Sequence, residues 1–312
     1  MNENWERQAL QDLLTASVKE QKLARRWGIF FKLLTFGYLA FLVLAIVGLA
    51  ASGDAEHTSA GAHTAVIEMR GVIAPGGDVS ADKVIEGLRD AFKDKNTRGV
   101  IVRANSPGGS PVQSGIIYDE IRRLRKLHPQ TPLYVVMEDV CASGCYYAAA
   151  AADAIYADKA SLVGSIGVLM NGFGFTGAMD KLGVERRLLT AGTNKGFLDP
   201  FSPMEAGQKE KAQVMLNEIH QQFIDVVKAG RGKKLAADNP DLFSGMIWSG
   251  EAAQKLGLVD GLSSVDAVAR DVIKAPRIVD FTPKADWADR FAKQIGASMG
   301  AQLGTSFDLQ LR

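Results

Sequence analysis

The sequence has few of the residues on which catalytic and metal sites most often depend. Its 312 residues include only four histidines and two cysteines, and no metal-ligand spacing, P-loop or internal repeat is present. The formal net charge is +1, so the chain lacks the basic excess that binds nucleic acid. We therefore expect no metal ion, no cofactor and no nucleic-acid partner. Without an ATPase module, energy-driven unfolding by this chain is not expected either.

The four histidines do not favour a Ser-His-Asp triad. His57 and His63 lie in a small-residue stretch that follows an apolar segment. His128 precedes a proline at a helix end, and His220 lies among polar residues of a long predicted helix. None of these settings is rich in glycine or turn-like, so a serine nucleophile in this chain would need another base.

The most informative segment surrounds Ser143, and residues 139–153 read DVCASGCYYAAAAAD. Extended residues 133–137 precede this serine and a run of alanines, the best helix formers, follows it. The hydroxyl therefore lies where a strand passes into a helix, and free backbone N–H groups point at whatever binds there. This arrangement is that of a nucleophile elbow, although the Gly-x-Ser-x-Gly pattern is absent. The alternative is a capping serine at the start of a buried helix.

Cys141 and Cys145 flank this serine, four residues apart. A disulfide would distort the turn between them, so we expect free thiols that act as small apolar fillers. A cysteine nucleophile is the rival hypothesis, because thiolates are intrinsically better nucleophiles. It lacks a nearby histidine.

A lysine can replace histidine as the base where burial lowers its pKa, because desolvation disfavours the ammonium form. A fall from about 10.4 to near 8 corresponds to roughly 3.4 kcal/mol, so such a site must be apolar and closed. Lys195 is the candidate, since apolar residues, glycines and prolines flank it in the segment 189–203, LTAGTNKGFLDPFSP. The alternative for any single lysine is a solvated surface charge.

Four motifs occur together and in order: residues 105–109 (NSPGG), 142–147 (ASGCYY), 164–168 (GSIGV) and the Lys195 loop. Together they resemble the bacterial signal peptide peptidase A family, which are membrane-anchored serine peptidases with a Ser-Lys dyad. The resemblance covers the chain from about residue 64 to residue 275. It implies a Clp-protease/crotonase-like α/β fold, with a parallel sheet flanked by helices.

The resemblance also implies a role for each matching residue. Ser143 is the nucleophile, Lys195 is the general base, and Ser165 is the second serine, which orients the lysine. Cys145 stands where the family usually has a second glycine. That departure bears on the fine backbone geometry and not on the assignment.

An oxyanion hole is expected from the same motifs. The NSPGG segment follows an apolar strand and precedes a helix, and its glycines let the backbone approach a ligand closely. The resemblance implies that Gly109 supplies one N–H donor, and Gly144, directly after the nucleophile, is the natural second donor. A plain turn between strand and helix is the alternative.

Residues 33–51 are almost entirely apolar and long enough to span a bilayer of about 30 Å. Five basic residues precede this run and two acidic residues follow it, which by the positive-inside rule leaves the N-terminal side in the cytoplasm. We expect a cytoplasmic segment at 1–28, an uncleaved anchor at 29–52 and a linker at 53–63. The remaining chain would then lie on the periplasmic side of the bacterial inner membrane. A signal peptide cleaved near residues 50–52 is the alternative.

Residues 64–275 are expected to form the peptidase domain, because strands and helices alternate as in a parallel α/β sheet. Strands are predicted at 64–70, 99–102, 133–137, 154–157 and 185–190, and helices at 81–93, 112–127, after Ser143, at 203–229 and at 250–260, the last closed by Gly257. The tail at 276–312 is predicted to contain an amphipathic helix from residue 285. That helix would pack against a neighbour or lie on the membrane.

The sequence therefore predicts a membrane-anchored serine endopeptidase that acts on extended peptides. The resemblance implies remnant signal peptides as substrates, and a ring-shaped homo-oligomer in which Lys195 can reach Ser143 of a neighbouring protomer. One alternative is an inactive membrane scaffold of the same fold that binds peptides. A crotonase-like acyl-CoA enzyme is the other, although it would gain nothing from a membrane anchor.

Overall fold

The computed structural model describes residues 3–51, 61–236 and 238–283. The chain divides into two compact units, residues 1–58 with 285–312, and residues 59–284. All five predicted site residues belong to the second unit. The predicted amphipathic helix of the tail lies outside the described residues.

The first unit contains one long helix, α1, which spans Glu3–Ala51. Within the described part of the chain, α1 alone is long and apolar enough to cross a membrane, and an 18-residue stretch within its segment Asp12–Ala45 has a mean hydropathy of 2.0. Its apolar side chains are exposed, including Leu33, Phe36 and Leu44. Length and composition thus agree with the predicted span.

The second unit alternates strands and helices along most of its length. Its elements are β1 (His63–Arg70), α2 (Ala81–Lys93), β2 (Thr97–Ser106), α3 (Pro111–Leu127), β3 (Leu133–Ala142), α4 (Gly144–Ala149), β4 (Ala154–Ala157), β5 (Leu162–Gly164), α5 (Thr176–Leu182), α6 (Ala206–Arg231), β6 (Ile247–Ser249), α7 (Gly250–Lys255), β7 (Gly261–Leu262), α8 (Val265–Ala267) and β8 (Ile278–Asp280).

The strands form one sheet in the order β6-β5-β3-β2-β1-β8, and β4 pairs with both β3 and β7. Every pairing is parallel except that between β5 and β6. Parallel neighbours need crossover connections, which α2 and α3 supply between β1, β2 and β3. The parallel sheet flanked by helices that the sequence predicted is confirmed.

Side chains alternate between the two faces of the sheet, as the period of a strand requires. On β1, Ala65 and Ile67 join the large core that includes residues of α2, α3, α4 and α6. Val66, between them, faces the other way and packs with Val265 and Val268 in a smaller core. The larger core lies under the face of the sheet that carries α4, and so anchors the turn before that helix.

The register of the strands decides which loops meet at the carboxyl edge of the sheet. Ser106 of β2 lies opposite Cys141 of β3, and Ala142 lies opposite Gly164 of β5. The segments that follow these three strands therefore emerge side by side. They are the three segments in which the predicted nucleophile, oxyanion and lysine-orienting residues occur.

Several predicted boundaries differ from the structure. The strands β2 and β3 are longer than predicted, and α6 begins at Ala206 rather than at residue 203. The strand predicted at 185–190 is wrong, because that segment forms no strand and Leu189 is 96% exposed. A strand needs a pairing partner, and the edge next to β5 is already occupied by β6. The predicted turn at Gly257 after α7 is confirmed, with a φ of +74°.

Candidate active site

Ser143 occupies a strained turn between β3 and α4. Its φ is +53° and its ψ is −125°, a conformation that residues with a side chain rarely adopt. The Ser143 N–H donates to the Gly164 carbonyl at 2.8 Å, and the Ser143 carbonyl accepts from the Tyr147 N–H at 3.0 Å. The side chain makes no capping hydrogen bond. The backbone thus holds the turn, and the hydroxyl is left available, which does not favour the capping alternative.

The two cysteines beside Ser143 form a disulfide, so the prediction of free thiols is wrong. Cys141 is the penultimate residue of β3 and Cys145 lies in the first turn of α4, with a Cα–Cα distance of 5.2 Å. That distance lies inside the range of ordinary disulfides, so this strained turn accommodates the bond. Both residues are fully buried. Neither sulfur is available as a thiolate, which removes the rival hypothesis of a cysteine nucleophile.

Gly109 lies beside the Ser143 turn with its backbone N–H turned away from Ile73. The neighbouring groups both bind Ile73: the Gly108 carbonyl accepts from the Ile73 N–H, and the Ser110 N–H donates to the Ile73 carbonyl, each at 2.8 Å. Since consecutive backbone groups alternate in direction, the Gly109 N–H faces away from Ile73. Any side chain here would collide with the backbone, because a Cβ on Gly109 would lie 2.1 Å from the Ile73 carbonyl oxygen.

Gly144 supplies the second amide of this arrangement. It is the first residue of α4, where an N–H group has no acceptor within the helix. A Cβ on Gly144 would lie 2.4 Å from Ser114 Oγ and 3.3 Å from the Gly109 amide nitrogen. The two glycine amides are therefore close neighbours beside Ser143, as an oxyanion hole requires.

Ser165 lies next to Ser143 because β3 and β5 run parallel and in register up to Ala142 and Gly164. Its φ is +50°, and its N–H donates to the Met246 carbonyl at 2.8 Å. Ser143 and Ser165 line the same groove. The backbone fixes Ser165 in a second strained turn, at the wall of the groove that Ser143 lines.

We expect Ser165→Ala to lower kcat more than it raises KM. Losing a hydrogen bond that orients a titrating group costs roughly 1.5–3 kcal/mol, or about a tenfold to hundredfold loss of rate. Steady-state kinetics on a fluorogenic peptide measure both constants. Ser263→Ala, which changes a serine outside the groove, is the control, and an unchanged kcat in Ser165→Ala would limit Ser165 to its backbone role.

The groove beside these residues has a volume of about 990 Å³, and α3, α6 and the Ser143 turn form its walls. Its lining is rich in apolar and small residues, among them Tyr147, Val168, Ile219 and Phe223. That size and character suit an extended peptide. Asp119 is the one charged side chain among the described residues that line the groove.

The structure does not bring Lys195 to the groove of its own chain. Lys195 is exposed, in a turn-rich segment between α5 and α6, and it is absent from the groove lining. Around it, residues 169–204 leave many large apolar side chains exposed, including Phe173 at 81% and Leu182 at 78%. One chain therefore assembles Ser143, Ser165 and the two glycine amides, and the predicted base lies apart from them.

Sequence reasoning missed several residues that support the site. Ile73 and Met246 provide only backbone groups, and a backbone role leaves no trace in the residue type. Ser114 and Asp119 lie on α3, and the helical spacing of residues 112, 115, 116 and 119 could have indicated the wall of the groove. This spacing could be connected with the site from the sequence, because α3 begins just after the NSPGG segment.

Comparison with known proteins places these features in a family. The model of peptidase family S49 matches residues 125–277. An Na(+)/H(+) antiporter NhaA of Brucella abortus is 47% identical over 210 residues, which are 66% of this chain and 28% of that protein. This chain therefore spans little more than a quarter of the length of that relative.

Two further relatives carry protease names. A candidate signal peptide peptidase SppA of Enterococcus faecium is 30% identical over 195 residues, 62% of this chain and 56% of its own length. A candidate protease of Synechocystis sp. is 30% identical over 208 residues, 66% of this chain and 72% of its own length. With the family match, the ClpP-like sheet and the length shared with the Synechocystis protein, the chain belongs to peptidase family S49.

Proposed function

We propose that this chain is a membrane-anchored serine endopeptidase that cleaves peptide bonds with Ser143 as nucleophile and Lys195 as general base. One observation carries the proposal. A strained serine whose hydroxyl caps nothing lies beside two neighbouring glycine amides, in a groove large enough for a peptide. Strain of this kind costs on the order of 1–3 kcal/mol and clusters at functional sites.

In the proposed reaction, the neutral amine of Lys195 takes the proton from Ser143 Oγ as that oxygen attacks the scissile carbonyl carbon. The Gly109 and Gly144 amides stabilise the negative charge on the carbonyl oxygen of the tetrahedral intermediate. Lys195 then donates the proton to the leaving amine, which leaves an acyl ester on Ser143. Water, activated by the same lysine, hydrolyses the ester and restores the enzyme.

We propose further that a second copy of the chain supplies Lys195. This fits its exposed position outside the groove and the exposed apolar side chains of residues 169–204, which a protein contact would cover. Contact with a neighbour would also bury the lysine. Burial disfavours the charged ammonium and so favours the neutral amine that a general base needs. A ring in which each protomer serves the next satisfies every site.

Mixing two inactive variants tests this arrangement. We expect Ser143→Ala and Lys195→Ala each to be inactive alone, and their co-expression in one cell to restore peptide hydrolysis. Recovery should approach about a quarter of the wild-type rate, because half of the sites keep Ser143 and half of their neighbours keep Lys195. Two differently tagged copies of Ser143→Ala are the control. Assembled hybrids with no recovered activity would show that the pair does not form between protomers, and a wild type without hydrolysis would favour the inactive scaffold.

The proposed substrates are extended apolar peptides, and remnant signal peptides are the class that combines these properties. The apolar lining of the groove supports this, as does the name of the Enterococcus faecium relative. A groove of this kind holds an extended chain and not a folded domain. The long apolar helix α1 would keep the site close to peptides released in the membrane.

The orientation of α1 is expected to place the second unit outside the cytoplasm. Five basic residues, from Lys19 to Lys32, precede the apolar run, and such an imbalance orients a span when it lies within about 15–20 residues. Protease treatment of intact spheroplasts should therefore digest the chain beyond residue 52 and protect a short N-terminal fragment. A domain that becomes accessible only after lysis would contradict both the topology and the proposed access to substrates.

A further inference from the structure

One end of the groove is a slot with aromatic and apolar walls. Tyr147 lies one helical turn after Ser143, and its ring packs against Phe223 of α6 with the centroids 5.1 Å apart. On the other wall, a Cβ built on Gly115 of α3 would lie 3.9 Å from the Tyr147 hydroxyl. The tyrosine therefore reaches α3 at Gly115, where a Cβ would be in ordinary van der Waals contact with its ring. The slot therefore begins beside the nucleophile and runs along α3.

A single carboxylate stands at the far end of that wall. Val112, Gly115, Ile116 and Asp119 form one face of α3, and all four line the groove. Asp119 is exposed and makes no ion pair with another described residue. Its charge reaches the tyrosine, since the pKa of Tyr147 is raised first by burial and then by Asp119.

The charges around Asp119 leave it available to a ligand. On its own helix, Arg123 pairs with Glu120 at 2.7 Å, and Arg122 is exposed outside the groove lining. On the facing helix α6, the residues that line the groove are uncharged: Leu216, Ile219, Gln222 and Phe223. An unpaired carboxylate at the end of an apolar slot is complementary to one kind of side chain, a cation on a long aliphatic stem.

We propose that Asp119 is a specificity-determining residue that selects a lysine or arginine side chain in an otherwise apolar peptide. The stem of that side chain packs against Tyr147 and Phe223, and its cation pairs with the carboxylate and faces the aromatic ring. Asp119 lies seven residues along α3 from Val112, or about 10 Å. That distance corresponds to roughly three residues of an extended peptide. The inference rests on the proposed peptidase function and names the substrate class of the same groove.

The test uses the full chain in detergent and pairs of fluorogenic apolar peptides. Within each pair one position carries lysine or the uncharged norleucine, and that position is moved through the three residues on each side of the scissile bond. We expect wild type to show a higher kcat/KM for lysine at one position. Asp119→Asn should lower the lysine-to-norleucine ratio there by about threefold to fivefold, the effect of a partly exposed ion pair. Asp119→Lys should lower it further and favour a glutamate peptide.

Glu86→Gln is the matched control, because it removes an exposed carboxylate of α2 that lies outside the groove. It should keep the wild-type lysine preference. Equal ratios in wild type and Asp119→Asn would overturn the inference while leaving the peptidase function intact. A binding arm separates the two ideas, with the same labelled peptides and Ser143→Ala, alone or combined with Asp119→Asn. If Ser143→Ala binds the lysine peptide through Asp119 but the wild type never cleaves it, the proposed function alone is refuted. If Ser143→Ala binds the lysine and norleucine peptides equally, the inference is refuted.

Discussion

Ser143→Ala should abolish peptide hydrolysis while the protein stays folded and assembled. Removing the nucleophile of a serine peptidase costs roughly four orders of magnitude or more in kcat, because the remaining groups cannot form the acyl intermediate. Ser110 and Ser249 also precede helices after a strand, but their side chains cap those helices, whereas the Ser143 side chain makes no capping hydrogen bond and lines the groove. Hydrolysis of a fluorogenic peptide, together with size-exclusion chromatography in detergent, measures both properties.

Ser143→Gly provides the matched control, because it separates the chemistry of the hydroxyl from the strain of the backbone. Both variants should be inactive. The glycine variant should unfold at a higher temperature than the alanine variant, because the φ of +53° is unfavourable for any residue with a Cβ. Hydrolysis near the wild-type rate by purified Ser143→Ala would refute the assignment of the nucleophile.

Lys195→Arg should be as inactive as Lys195→Ala. A guanidinium keeps the positive charge but cannot lose its proton at any working pH, so it cannot act as a base. If Lys195 contributed only a charge, the arginine variant would retain much of the activity. Steady-state hydrolysis by the two variants distinguishes these roles.

Lys211→Arg is the control for this experiment. Lys211 Nζ donates to Asn194 Oδ1 at 2.9 Å, so it lies beside the same loop and keeps that contact as arginine. It should remain active. A Lys195→Arg enzyme with substantial turnover would exclude Lys195 as the base.

Short-range rules predicted the turn at Ser143 and Gly144 from the sequence, whereas Ser165 and Gly109 were predicted from the resemblance to the family. Each lies just after an apolar strand, and the carboxyl ends of neighbouring parallel strands meet at one edge of the sheet. Small residues on both sides of Ser143 also indicated a tight turn. Patterns of this kind depend only on residues close together in the sequence, so they can be recognised without the structure.

The disulfide and the segment around Lys195 could not be predicted in the same way. Whether Cys141 and Cys145 can bond depends on the backbone path through the turn, which brings their Cα atoms to 5.2 Å. The segment 185–190 could form a strand only at a free edge of the sheet, and β6 occupies the edge next to β5. The surroundings of Lys195 depend on contacts with a second copy in our account, and one chain's sequence does not specify them.

Covalent labelling with a fluorophosphonate tests the central claim most directly, because the reagent reacts only with an activated serine and mimics the tetrahedral intermediate. The full chain is labelled in detergent, digested and mapped by mass spectrometry. Our account predicts a single modified serine, Ser143, in wild type and Lys211→Arg, and little or no labelling in Lys195→Ala. Labelling of another serine, or equal labelling of Ser143 with and without Lys195, would contradict it.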